Sequence, residues 1–262
     1  VTHDLLVEKN NVPLIEFKDV SFRYKGAEEY VVENINLSIK HGETVAFIGS
    51  TGSGKSSLIN LIPRFYDTSK GSILINGVDV SDYAQEDLHK IIGYIPQKGT
   101  LFSGTIRSNI QIGSENATDD EINEALDIAQ ATEFVSSLEL GLDAPISQGG
   151  KNFSGGQKQR LSIARAIVKK PEIYIFDDSF SALDYQTDKV LRKALNTKLP
   201  ESTKLIVAQR IGTILYADKI VVLEKGKIVG VGTHTELLET CSVYKEIALS
   251  QLSQEEINYG KK

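Results

Sequence analysis

The run Gly49-Ser50-Thr51-Gly52-Ser53-Gly54-Lys55-Ser56 has residue types and spacing suited to holding a polyphosphate. It fits the pattern G-x-x-x-x-G-K-S/T. Glycines at 49, 52 and 54 lack a Cβ, so the backbone can wrap close to a ligand and adopt φ > 0 where a tight loop requires it. Backbone N–H groups and the start of the next helix then face phosphate oxygens. Lys55 supplies a full positive charge for the β- and γ-phosphates, and the Ser56 hydroxyl is placed to bind Mg2+. Ser57 joins the same binding set. Such a loop needs a strand before it and a helix after it. Thr44–Ile48 reads as a buried strand and Ser56–Ile62 as the first turns of a helix. A flexible glycine-rich turn with a chance lysine is the plainer alternative, and the flanking elements argue against it.

Two further stretches carry chemistry. Ile173-Tyr174-Ile175-Phe176-Asp177-Asp178 is an apolar strand ending in acids, the Walker B pattern. That strand is expected beside the loop-bearing strand, which would place Asp177 near the Mg2+. Ser154-Gly155-Gly156-Gln157 opens a long helical pattern (Leu161, Ala164, Arg165, Ile167, Val168) that Pro171 stops. Two glycines and a serine at a helix N-terminus form an anion site. Seen alone, a serine-capped helix explains the same residues as well. A second anion site on one chain suggests a nucleotide held between two protomers, head to tail. Tyr24 could offer its ring to a base, although an aromatic in a strand is usually core.

The remaining elements follow from periodicity and turn signals. Leu14–Val20 and Tyr30–Lys40 read as antiparallel-type strands ahead of the loop strand. Gly71–Ile75 followed by Asn76-Gly77 reads as a strand and tight turn. Ile91–Ile95 is a short strand that Pro96-Gln97 ends. Thr118 to Gln130 carries the cap signal Thr118-x-x-Glu121 and helical apolar spacing. Phe134, Val135 and Leu138 mark a second short helix. Ser181-Ala182-Leu183-Asp184 is a turn leading into a helix to about Leu199. Lys204–Ala208 is a buried strand, Ile220–Leu223 and Ile228–Val231 form a hairpin, and two short helices follow.

With 262 residues, 40% apolar and 24% charged, the composition is that of a globular chain with a sizeable core. A net charge of −6 argues against nucleic acid as a partner. The single cysteine, Cys241, suits a reducing compartment. No apolar stretch is long enough to span a bilayer and no signal peptide precedes the first strand. The chain starts at Val1 and contains no methionine, which reads as a fragment, a processed chain or an engineered sequence.

Together these ordered motifs resemble the ATP-binding cassette family over about residues 14 to 250. The Ser-Gly-Gly-Gln segment is the most specific of them. The resemblance implies an α/β fold: a P-loop NTPase core, RecA-like with a mostly parallel sheet, an antiparallel β subdomain and an α-helical signature subdomain. It implies residues 1–12 as a linker, 13–250 as the nucleotide-binding domain with its helical subdomain at about 98–170, and 251–262 as a polar tail. ATP and Mg2+ are the implied cofactors. Tyr24 matches the adenine-stacking aromatic. Ser56, Gln97 and Asp177 match the metal-binding positions, and Ser154, Gly155, Gly156 and Gln157 the segment that closes on the γ-phosphate held by another subunit. Gln97-Lys98 through Ile110 looks like the region that meets coupling helices in exporters fused to a transmembrane domain. Gln148-Gly149-Gly150-Lys151 looks like the exporter loop before the signature. The linker then fits a cut just after a membrane domain, at the cytoplasmic face of the cell membrane.

Two departures stand out. Hydrolytically active cassettes place a glutamate after the Walker B aspartate; here it is Asp178, whose carboxylate sits back by roughly 1–1.5 Å. A misplacement of about 1 Å can cost on the order of a hundredfold in rate. Active cassettes also carry a histidine in an Ala-His-Arg run; here it is Ala208-Gln209-Arg210. Gln209 can donate a hydrogen bond but shuttles no proton. The resemblance is therefore to the degenerate-site half of a heterodimeric multidrug exporter. Asp178, Gln209 and Gln97 hold the catalytic positions of a slow site, and the partner cassette is not identical. A non-hydrolytic ATP-dependent dimerisation or sensing module is the alternative. A soluble cassette acting on ribosomes or DNA repair would bring a second cassette or a long coiled coil, and neither is in the sequence.

Overall fold

The structure, a computed structural model, describes residues 12–252. Apart from their inner ends, the expected linker over 1–12 and tail over 251–262 lie outside the described residues. The strands are β1 (Ile15–Phe22), β2 (Val32–Ile39), β3 (Thr44–Ile48), β4 (Lys70–Ile75), β5 (Val78–Asp79) and β6 (Ile92–Ile95), then β7 (Gly104–Thr105), β8 (Pro145–Ile146), β9 (Ile173–Asp177), β10 (Thr203–Val207), β11 (Lys219–Glu224) and β12 (Lys227–Gly232). The helices are α1 (Lys55–Asn60), α2 (Gln85–Ile91), α3 (Ile106–Gln111), α4 (Asp119–Ile128) and α5 (Thr132–Ser136), then α6 (Gly155–Val168), α7 (Tyr185–Lys198), α8 (Ile211–Ile214), α9 (His234–Thr240) and α10 (Ser242–Gln251). The described residues fall into two compact units, one within Val1–His89 and Thr203–Lys262, the other within Lys90–Ser202.

In the first unit β1 pairs antiparallel with β2 (Ile15 opposite Ile39) and with β4 (Ile15 opposite Ile75). Ile15, Phe17, Ile35, Leu37, Ile39, Ile73 and Ile75 are buried, while Glu16 and Lys18 alternate with them and form an ion pair of 2.9 Å. Asn76 and Gly77, both at positive φ, make the two-residue turn into β5. Strand β3 has no exposed residue and is parallel to β10 on one side and β11 on the other. Its unbroken apolar run suits a parallel strand covered on both faces. Strand β12 returns antiparallel to β11.

Both edges of β3 are therefore taken within the first unit. The expectation that the strand ending in Asp177 is its immediate neighbour does not hold. Apolar periodicity reports burial, and it does not say which buried strand lies next to which.

In the second unit β6 and β9 are parallel, with Ile95 opposite Phe176. Helix α4 starts at a reciprocal cap: the Glu121 amide donates to Thr118 Oγ1 (3.3 Å) and the Thr118 amide to Glu121 Oε2 (2.9 Å). Helices α3 and α4 pack on α6, where Leu161, Ile163 and Ala164 are buried. The stretch after Gln97 has an architecture that the sequence did not reveal. Asn109 bonds both backbone groups of Phe102 (2.9 and 2.8 Å), and Arg165 donates to the carbonyls of Asn109 (3.1 Å) and Thr100 (2.8 Å). Leu101 is buried there, whereas Phe102 is exposed with the Arg165 guanidinium 5.7 Å from its ring centre. Among the described residues no helix is long and apolar enough to cross a membrane.

Candidate nucleotide-binding site

The glycine loop runs from the end of β3 into α1, and Gly49 and Gly54 leave no room for a side chain. A Cβ on Gly49 would run into the Leu223 carbonyl and lie 2.6 Å from Ser53 Oγ. Gly54 sits at φ 96, and a Cβ there would lie 2.7 Å from Val32 Cγ1 and 2.8 Å from the Val31 carbonyl. A left-handed turn pressed against a strand admits only glycine. Lys55 is nearly buried and curls back, donating to the carbonyls of Gly49 (2.6 Å) and Ser50 (3.3 Å). Ser56 and the tip Ser50-Thr51-Gly52 are exposed, while Ser53 is buried with its hydroxyl lacking a hydrogen-bond partner. A glycine-built cradle that ends in an ammonium and a hydroxyl fits a phosphate chain.

Tyr24 stands just beyond β1, 40% exposed. It is not a core aromatic. Its ring packs edge-on against Phe22 (4.8 Å) and Tyr66 (5.2 Å), and its hydroxyl shares a 2.9 Å hydrogen bond with Ser57 Oγ on α1. Tyr24 and Ser57 are thus joined, and the ring is held upright at the side of the glycine loop's helix.

In the second unit the acids and Gln97 come together. Gln97 Nε2 donates to Asp178 Oδ2 at 3.0 Å. Asp178 lies at φ 53, in the left-handed region that Asp tolerates better than most residues. The following turn pins its carbonyl through Ser181 Oγ at 2.9 Å. Asp177 accepts from the Tyr94 hydroxyl at 3.0 Å. Burial, and then the adjacent Asp177 carboxylate, push the Tyr94 phenol well above its ordinary value, so it stays a protonated donor.

The signature segment is a capped helix start. The Gln157 amide donates to Ser154 Oγ (3.2 Å), and the Ser154 amide to Gln157 Oε1 (3.0 Å). Ser154 and Gly155 are exposed, and a Cβ on Gly155 would meet nothing within 4 Å. Gln209 is exposed in the first unit. Its carbonyl accepts from Gln251 Nε2 (2.8 Å), while Gln251 Oε1 accepts from the Ile211 amide (2.8 Å). One side chain of the last helix thus brackets the Gln209 turn.

Sequence reasoning missed Tyr94, Ser179, Gln159 and Gln251. Each acts through a contact distant in sequence, and only Gln159, a polar residue on the apolar face of a helical pattern, left a local sign.

The family model described as ABC transporter matches residues 32–181, more than half of the chain. The chain belongs to the ABC transporter family. Its parallel strands around β3, antiparallel sheet and helical segment are those of an ABC cassette. A Staphylococcus aureus (strain NCTC 8325) protein whose name reads multidrug export ATP-binding/permease protein is 46% identical over 89% of this chain. A Mycobacterium bovis ABC transporter ATP-binding protein is 45% identical over 91% of it. The chain spans 40% and 41% of the length of these two relatives. Among solved structures, a bacterial Atm1-family ABC exporter with ATP bound superposes with a TM-score of 0.88 at 34% identity, covering 93% of this chain and 42% of that one.

Proposed function

We propose that the chain is the nucleotide-binding domain of an ABC exporter, spanning about 13–250 with its helical subdomain at about 98–170, and that it binds Mg-ATP. The observation that carries this is the cradle of Gly49, Gly52 and Gly54 closed by Lys55, in a member of the ABC transporter family. Lys55 neutralises the β- and γ-phosphates; Ser50, Thr51 and Ser53 supply loop amides; Ser57 sets Tyr24 for the adenine ring. Mg2+ would be held by Ser56, Asp177 and Gln97, and it would screen the phosphate charge. The domain pairs head to tail with a second, non-identical cassette, lending Ser154-Gly155-Gly156-Gln157 to that cassette's nucleotide. It meets the coupling helices of a transmembrane domain at the cytoplasmic face of the membrane. The multidrug-export name of the S. aureus relative supports the exporter reading.

The chain's own site turns over slowly. Asp178 is one methylene short of the glutamate that orients the attacking water, and its carboxylate is taken up by Gln97. Gln209 supplies no proton. The double change Asp178→Glu, Gln209→His should raise ATP turnover at this site about a hundredfold. Full turnover by the unaltered chain as a homodimer would overturn the slow-site reading. The same two residues favour a second reading, a module that pairs on ATP without hydrolysing it. Single-turnover phosphate release with a partner cassette separates the two: release from the pair marks a motor, and none from either site marks a sensor.

A further inference from the structure

Four consecutive residues, 94 to 97, are each fastened by a side-chain hydrogen bond to the acid-bearing segment or the signature helix. The Tyr94 hydroxyl donates to Asp177 Oδ2 (3.0 Å), and Ser179 Oγ donates to the Ile95 carbonyl (2.6 Å). Gln159 Nε2 donates to the Pro96 carbonyl (2.9 Å), and Gln97 Nε2 to Asp178 Oδ2 (3.0 Å). The middle two bonds hold backbone, and both donors, Ser179 and Gln159, are fully buried. They fix the end of β6. Register does the rest. Tyr94 lies opposite Ile175 in the parallel pair, so it shares a sheet face with Asp177 two residues on. A phenol reaches that distance along the strand.

We propose that Tyr94 is a positioning residue for the Mg2+-binding Asp177, its hydroxyl fixing the carboxylate's orientation before nucleotide and metal arrive. The proposal rests on the reading of Asp177 as a metal ligand. A hydrogen bond to an ionised oxygen is among the stronger ones, and partners that orient metal ligands typically govern ten- to a hundredfold of metal affinity. A purely packing role for Tyr94 needs only the ring, which phenylalanine keeps.

The test titrates Mg2+ into the 262-residue chain with a fluorescent ATP analogue, comparing the parent with Tyr94→Phe, Asp177→Asn and the double variant. Tyr94→Phe should raise the Mg2+ concentration at half-effect about tenfold. It should leave nucleotide affinity in EDTA unchanged, and it should add nothing once Asp177→Asn is present. Parental Mg2+ dependence in Tyr94→Phe, with Asp177→Asn shifted, overturns the role of Tyr94 alone. Parental dependence in Asp177→Asn overturns the metal-ligand reading beneath it. Equal weakening with and without Mg2+ marks general damage and also overturns the proposal. Should Tyr94→Phe not fold, a 13Cζ-labelled tyrosine placed only at position 94 serves instead. Its resonance should move when Mg2+ is added to the ATP-saturated chain, and a resonance indifferent to Mg2+ overturns the proposal.

Discussion

At position 178 one methylene and one backbone angle act together. The carboxylate is short, its φ of 53 aims it away from where a helical or extended residue would point, and Gln97 holds it at 3.0 Å. Asp178→Glu alone lengthens the arm, but Gln209 still offers an amide where proton transfer needs a titratable group. On the proposed slow-site reading, the logarithmic gain of the double variant should exceed the sum of the two single gains. Steady-state ATP turnover of the four proteins reads this directly. A double variant no faster than the parent contradicts it. Glutamate is less at ease than aspartate in a left-handed backbone, so the faster variant should also melt somewhat lower. The strand, glycine loop and helix around Lys55, the strand ending in Asp177 and the helix capped by Ser154 were legible in the sequence because each is a local pattern. The Gln97–Asp178 bond was not, because its partners are far apart in the chain.

Among the elements, β10 buries a lysine. Lys204 is buried in a strand otherwise composed of Thr, Leu, Ile and Val. Burial pulls its ammonium down from the ordinary 10.5 to about 8, against a smaller opposing pull from Asp218. The unfolded chain thus binds the proton more tightly than the folded one. Below pH 8 both forms are protonated and the cost of burying the charge is fully present. Between about 8 and 10.5 the folded form sheds the proton first, and stability rises with pH. Lys204→Met should lose this rise in stability between about pH 8 and 10.5. Urea unfolding at pH 7 and pH 10.5 checks this, and a Met variant whose stability rises as the parent's does contradicts it. Helices α4 and α6 were legible because both have a capping serine or threonine, a partner three residues later and a regular apolar stripe. Helix α2 was not, since Leu88 is its only buried residue, and α3 was hidden because its capping box uses Ser108 in place of Glu or Gln. The order of strands around β3 was also out of reach, because every candidate neighbour is equally apolar.

For the whole molecule, the proposed head-to-tail pairing uses the exposed signature start and the glycine loop as two anion sites with one nucleotide between protomers. Mg-ATP should therefore drive reversible pairing with a cassette that carries glutamate and histidine at the positions of Asp178 and Gln209. Gly155→Asp should abolish that pairing, and it should fold, because a Cβ there meets nothing within 4 Å. Sedimentation velocity with and without ATP decides it, and nucleotide-independent pairing contradicts it. The central claim is that the Gly49–Ser56 cradle grips Mg-nucleotide through Lys55, and isothermal calorimetry tests it most directly. ATP with Mg2+ should bind the 262-residue chain with one site, and Lys55→Met should weaken that binding at least tenfold, the loss expected for one charge-assisted contact. Failure of the parent chain to bind, or binding by the Met variant as tight as the parent's, would contradict the account.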